Sequence, residues 1–124
     1  MKPVKILIIE DEPEIAENLA ALLNAKGYQA RTSLEGSDGI ARARTGDFEL
    51  ILLDVMLPRM SGFDVCKILR SDPKTSKIKI IMATGLGRMG DVEEAFRCGA
   101  DDYLIKPFDS GRLFKKIEAV LARP

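Results

Sequence analysis

The sequence predicts an α/β domain built on a doubly wound, five-stranded parallel sheet, strand order 2-1-3-4-5, with five helices. Three observations predict it. Short apolar or β-prone runs alternate five times with segments of helical period along the 124 residues, as in a parallel sheet whose crossovers are helices. The first, third and fourth runs read as strands buried on both faces, whereas the second is polar and the fifth is short, which puts those two at the edges. Right-handed crossovers then give the stated order, with the chain reversing direction between the first and third strands.

Each element follows from its residues. The first strand is Ile6-Leu7-Ile8-Ile9, and the helix after it places Ile15, Leu19, Leu22 and Leu23 on one face before stopping at Gly27. The second strand runs from Gln29 to Thr32, followed by an Ala-rich helix from about Asp38 to Thr45, bracketed by glycines. Leu50-Ile51-Leu52-Leu53 is the third strand. A turn-rich stretch from Leu57 to Gly62 leads into a helix carrying Phe63, Cys66 and Leu69. The fourth strand spans Ile78 to Ala83, with Lys79 interrupting its apolar run, and the next helix, from about Asp91, turns Val92, Ala95 and Phe96 inward. Tyr103-Leu104-Ile105 is the fifth strand. Asp109 then reads as the N-cap of a last helix with Leu113, Ile117, Val120 and Leu121 on one face.

Composition excludes several chemistries. Nineteen basic residues balance nineteen acidic ones, so the whole molecule has no electrostatic case for binding nucleic acid or a membrane. The local clusters Lys74, Lys77, Lys79 and Arg112, Lys115, Lys116 read as solvated faces. Cys66 and Cys98 lie far apart, without C-x-x-C spacing; no signal peptide opens the sequence, and no segment approaches the roughly 20 apolar residues of a membrane span. A reduced, cytoplasmic protein of one domain, residues 1–124, is the expectation. With no histidine, Ser-His and Cys-His nucleophile pairs, histidine zinc sites and phosphohistidine on this chain are all excluded. Chemistry here must run on carboxylates, hydroxyls and lysines.

Those groups gather at one rim. In an open α/β sheet the ligand site lies at the carboxyl ends of the strands beside the reversal. The first strand ends in Glu10-Asp11 and the third in Asp54; the fourth ends in Thr84 and the fifth in Lys106, before Pro107. That strand ends become polar on reaching solvent explains any one of these residues, but explains the set poorly. Three carboxylates within about 5 Å repel by roughly 3 kcal/mol per pair at an effective dielectric of 20, so they need a cation or a proton to coexist. Magnesium answers that need with one or two carboxylates, waters and a phosphate oxygen, whereas calcium would want a D-x-D-x-D-G loop that is absent. Lys106 adds a movable positive charge for a phosphoryl oxygen, and the Thr84 hydroxyl can donate to another.

The ordered set Ile8-Ile9-Glu10-Asp11, Leu53-Asp54-Val55-Met56-Leu57-Pro58 with Ser61-Gly62, Ala83-Thr84-Gly85, and Gly99-Ala100-Asp101-Asp102-Tyr103-Leu104-Ile105-Lys106-Pro107-Phe108 resembles the receiver domain of bacterial two-component response regulators. The resemblance covers essentially the whole chain and implies a flavodoxin-like fold and a phosphorylation-dependent switch rather than an enzyme. It implies that Asp54 takes a phosphoryl group from a phosphohistidine of a sensor histidine kinase or a histidine phosphotransfer protein. It further implies that Asp11, Asp54 and the Met56 backbone carbonyl ligate magnesium, with Glu10 acting directly or through water. Lys106 would pair with the phosphoryl oxygens, before a cis bond to Pro107. Thr84 and Tyr103 resemble a switch pair: the hydroxyl swings toward the phosphoryl group and the ring packs inward behind it. Gly85, Gly87 and Gly90 suit a segment that must move.

Departures from the family pattern sharpen these expectations. Glu10 stands where relatives often carry aspartate, and Lys79 replaces a proline. Met56 and Leu86, two residues beyond the acceptor and the threonine, sit where relatives tune acyl-phosphate hydrolysis. Asp101, Asp102, Lys116 and Arg123 partly match the charged set through which some relatives dimerise, while Val92 and Arg112 depart from it, so a monomer or weak dimer is expected. The sequence stops at Pro124, which fits either a stand-alone regulator or a receiver cut from a longer protein, and this chain by itself is expected to bind no nucleic acid. An aspartate-nucleophile phosphatase would want a second acid at Met56. A flavin- or nucleotide-binding module would find Glu10-Asp11-Glu12 repelling its phosphate. A receiver-like scaffold that is never phosphorylated would lack part of the acidic set, which is complete here.

Overall fold

In the computed structural model, residues 2–85 and 89–124 are described, Met89 by its backbone alone. The elements are β1 (Lys5–Ile9), α1 (Pro13–Ala25), β2 (Gln29–Ser33), α2 (Gly36–Thr45), β3 (Leu50–Asp54), α3 (Gly62–Ser71), β4 (Lys79–Gly85), α4 (Met89–Arg97), β5 (Asp102–Lys106) and α5 (Ser110–Leu121). All four strand pairings are parallel and run in the order β2-β1-β3-β4-β5, with Ile9 opposite Leu53, and Asp54 opposite Ala83. Leu86 and Gly87, read above as tuning and hinge positions, lie outside the described residues.

Alternation along the central strands builds two cores. Leu7, Ile9, Ile51, Leu53, Ile80 and Met82 face one side and pack on Ala43, Val65, Cys66, Leu69 and Ala95 from α2, α3 and α4. Their neighbours Ile6, Ile8, Leu50, Leu52, Ile81 and Leu104 face the other, against Leu23 of α1 and Leu113, Ile117 and Val120 of α5. Burial on both faces is why β1, β3 and β4 had to be apolar at consecutive positions.

Local signals end the helices where side chains demand it. Pro13 opens α1, and Gly27 follows it at φ 105°, a left-handed conformation that a side chain resists. Ser61 caps α3 by accepting from the Asp64 amide at 3.2 Å, and Asp109 caps α5 by accepting from the Arg112 amide at 2.7 Å.

Two expected inward faces turn out otherwise. On α1 the fully buried residues are Ala16 and Leu23, while Ile15 and Leu22 are exposed along a cleft of about 500 Å³ between α1 and the Pro107–Phe108 corner. On α4 Ala95 is buried and Val92 half-buried, but Phe96 is 48% exposed and meets Tyr103 edge-to-face instead of entering the core. The sheet stops at β5, so a side chain one helical step round from Ala95 overhangs the edge strand.

Arg70 ties the far end of the sheet together. Its guanidinium donates to the carbonyls of Gly99, Ser76 and Ile78 and to Asp101 Oδ2 at 2.8 Å, and that same oxygen accepts from the Ile80 amide. Both cysteines are free and buried, with the Cys66 thiol donating to the Cys98 carbonyl at 3.2 Å. Among the described residues no helix is long and apolar enough to cross a membrane.

Candidate functional site at the carboxyl ends of the strands

Glu10, Asp11 and Asp54 meet where β1 and β3 end, and each offers a carboxylate oxygen within 4.8 Å of the other two. The parallel pairing of β1 with β3 forces this: with Ile9 opposite Leu53, the next residues on both strands leave the sheet side by side. Glu10 and Asp54 are buried, 3% and 7% exposed, and Asp11 is half-buried on the open side.

Lys106 comes from the end of β5 and supplies the missing charge. Its ammonium lies 3.1 Å from Glu10 Oε1 and 3.2 Å from Asp54 Oδ2. Burial works against that charge, but the Asp54 and Glu10 carboxylates outweigh it and hold the ammonium above the ordinary lysine range. Among the described residues Asp11 makes no such ion pair: burial, then its hydrogen bond and repulsion with Glu10, push its carboxyl above the ordinary aspartate range. One lysine against three acids leaves the cluster with an excess of negative charge.

The acids are also oriented. Asp54 Oδ1 accepts from the Met56 amide at 3.2 Å, leaving Oδ2 toward Lys106. Glu10 Oε2 accepts from the Glu12 amide at 3.1 Å while Oε1 takes Lys106, so both its oxygens are engaged. Gly62 lets the loop after β3 fold back: its amide donates to the Val55 carbonyl at 2.8 Å, and a Cβ there would lie 2.3 Å from the Asp54 carbonyl oxygen. Arg59, at φ 67°, pairs with Glu35 at 2.9 Å and links this loop to the start of α2.

Thr84, next to last in β4, sits at the same rim, 1% exposed, and its hydroxyl has no hydrogen-bond partner among the described residues. Leaving a buried hydroxyl so costs about 1–3 kcal/mol. Tyr103 is half-buried on β5 with its ring on the outer side, against Phe96 and Lys116. Met56 is 58% exposed beside Asp54, and the Lys106–Pro107 peptide is cis.

Glu10, Asp11, Asp54, Met56, Thr84, Lys106 and Pro107 therefore lie at this rim, and Tyr103 lies on β5 beside it. Sequence reasoning missed the Met56 amide as the clamp on Asp54, because any residue there has an amide. It also missed the double contact of Lys106, which depends on how far β5 runs, and Gly62 as a steric requirement, although Ser61-Gly62 was visible as a helix start.

The chain is thus a doubly wound α/β protein with an acidic cluster and a lysine at the switch point, where such folds bind ligands. Comparison with known proteins gives its family. Residues 6–118 match the response regulator receiver domain, and the chain belongs to that family, the phosphorylation-dependent signalling modules of two-component systems. It is 41% identical over 119 residues to the DNA-binding dual master transcriptional regulator RpaA of Synechocystis sp., covering 96% of this chain and 49% of that one. The chain spans about half the length of the curated relatives it matches. Its structure superposes on the receiver domain of the sensor histidine kinase PA1611 of Pseudomonas aeruginosa, described with a magnesium ion coordinated in the active site cleft, with TM-score 0.90, 26% identity and coverage of 98% and 100%. It also superposes on the chemotaxis response regulator CheY4 of Vibrio cholerae, with TM-score 0.90, 28% identity and coverage of 96% and 99%.

Proposed function

We propose that this chain is one cytoplasmic receiver domain whose Asp54 accepts a phosphoryl group from a phosphohistidine on a sensor histidine kinase or a histidine phosphotransfer protein. The observation that carries this is the convergence of Glu10, Asp11 and Asp54 within 4.8 Å, with Lys106 in contact with two of them.

The residues fit a hard divalent cation. Their donors are carboxylate oxygens, their negative charge exceeds the one lysine, and Asp11 stands on the open side with its carboxyl destabilised. Asp11, Asp54 and the Met56 carbonyl would hold magnesium, with Glu10 contributing through water because both its oxygens are already engaged. Bound there, magnesium would offset negative charge on the transferring phosphoryl group.

The chemistry on the chain belongs to Asp54. Its oxygen attacks phosphorus, the P–N bond to the donor imidazole breaks, and an acyl phosphate forms as the electron pair leaves with the imidazole nitrogen. The Met56 amide holds Oδ1 so that the carboxylate cannot rotate away. Lys106, already beside Oδ2, exchanges a carboxylate oxygen for a phosphoryl oxygen. The Thr84 hydroxyl, without a partner among the described residues, gains a phosphoryl acceptor, and Tyr103 follows it inward, turning a local charge change into a surface change.

Intact mass after incubation with magnesium and acetyl phosphate tests this reading. A gain of about 80 Da, absent in Asp54→Asn and prevented by prior EDTA, is expected for one phosphoryl group. Folded protein that gains no mass would leave a phosphorylation-independent scaffold as the better reading.

A further inference from the structure

Thr84 and Tyr103 lie on one face of the sheet. The β4–β5 register sets Met82 opposite Tyr103 and Thr84 opposite Ile105, so the hydroxyl and the ring are diagonal neighbours on the side covered by α3 and α4. The two differ in how they are held. The Thr84 hydroxyl has no partner among the described residues. The Tyr103 ring is gripped from two helices.

From α4, Phe96 meets it edge-to-face, with ring centroids 5.8 Å apart and planes at 89°. From α5, the Lys116 ammonium reaches round the sheet edge to 4.7 Å from the ring centroid. Lys116 is itself steered by Asp102 Oδ1 at 2.9 Å, and that oxygen also accepts from the Tyr103 amide at 2.9 Å. Asp102 Oδ2 lies 3.5 Å from Arg123, which donates to the Asp101 carbonyl at 2.7 Å. Lys116 and Arg123 thus share Asp102 along this edge, with Lys116 set against the Tyr103 ring.

We propose that Phe96 and Lys116 form a latch that holds Tyr103 on the outer side of β5 and sets how far phosphorylation shifts the switch. The proposal rests on the reading of Thr84 and Tyr103 as the switch pair. Both contacts exist only while the ring is outside. A contact made in one state alone biases the equilibrium by its own free energy, and any ligand that prefers the other state binds more weakly by the same factor. An edge-to-face pair and an exposed cation–π contact are each worth roughly a twofold to tenfold bias. Phe96 and Lys116 touch no phosphoryl oxygen, so they are positioning residues.

Beryllofluoride with magnesium, a non-covalent phosphoryl stand-in, gives the test. Phe96→Ala and Lys116→Met are each expected to bind it roughly twofold to tenfold more tightly than the parent protein, with the affinity for magnesium alone unchanged. Lys116→Arg keeps a cation over the ring and should behave as the parent does, as should Lys115→Met on the neighbouring surface. Fluorotyrosine labelling gives two resonances, from Tyr28 and Tyr103. In the two latch variants without ligand, the Tyr103 resonance should move toward its beryllofluoride-bound position. If Phe96→Ala does not fold, Phe96→Leu keeps the bulk, loses the edge-to-face contact and should show the same tightening. Unchanged or weakened beryllofluoride binding in the folded latch variants, or equal tightening in Lys115→Met, overturns the latch. A parent protein that binds beryllofluoride no better than Asp54→Asn overturns the phospho-acceptor reading instead.

Discussion

Lys106 donates to Glu10 across 96 positions of chain, Nζ to Oε1 at 3.1 Å, and the same ammonium stands 3.2 Å from Asp54. One cation thus holds together the ends of three strands, and its loss should be felt in stability before any chemistry is measured. Lys106→Met is expected to cost the metal-free protein about 1–3 kcal/mol, below the cost of breaking a fully buried pair because the lysine is partly exposed. Magnesium replaces the missing charge, so urea melts with and without it should show a larger gain for the variant. Equal gains would remove Lys106 from the role of counter-charge.

Gly62 is a requirement of close approach. A Cβ at this position would lie 2.3 Å from the Asp54 carbonyl oxygen and 2.8 Å from Val55 Cα, both backbone atoms that no side-chain rotation relieves. Gly62→Ala is expected to cost about 1–3 kcal/mol, as overpacking does, and to weaken magnesium binding by moving the loop that carries Met56. Calorimetric titration alongside denaturant melts checks both effects; a variant with parental values of each would show that the loop gives way freely.

Cys66 is fully buried, and burial pushes its thiol up to about 11, from an ordinary value of 9.0. The folded state therefore keeps this proton where the unfolded chain releases it. Its contribution to stability is complete below pH 9 and declines as the pH rises to about 11, by about 2–3 kcal/mol in all. Cys66→Ala should lose that alkaline decline, so the stability difference between parent and variant shrinks or reverses over this window. Parallel pH profiles would refute it. Iodoacetamide at pH 8 should label the native protein far more slowly than the unfolded one.

Met56 exposes an apolar side chain beside Asp54, the proposed acceptor. Such a group places an attacking water poorly. Met56→Asn is expected to shorten the life of the phosphorylated form several-fold, read from the decay of the added mass after the donor is removed. Equal decay would show that water reaches the acyl phosphate by another side.

Much of this architecture was legible in the residues. Apolar runs at Ile6–Ile9 and Leu50–Leu53 marked strands buried on both faces, and the polar residue ending each placed the rim; the observed order and the acidic cluster agree with that reading. Less legible were contacts that depend on distance across the fold. Phe96 has the period of a buried residue, yet it overhangs the edge strand because the sheet ends at β5. Ile15 and Leu22 have the period of a core face, yet they border a cleft. Arg70 reads as a helix-surface arginine, and no local pattern announces that three carbonyls and Asp101 converge on it.

The sequence by itself determined the class of fold, the sheet order and which carboxylates, hydroxyl and lysine would share a rim. Those follow from alternation, strand burial and crossover handedness, which are properties of short segments and their order. Only the tertiary structure decided that Lys106 bridges Glu10 and Asp54, that the Thr84 hydroxyl is left without a partner among the described residues, and that Phe96 and Lys116 enclose Tyr103. Side chains from strands and helices far apart in the chain meet at distances of a few ångströms set by register and packing, and periodicity carries no such distances.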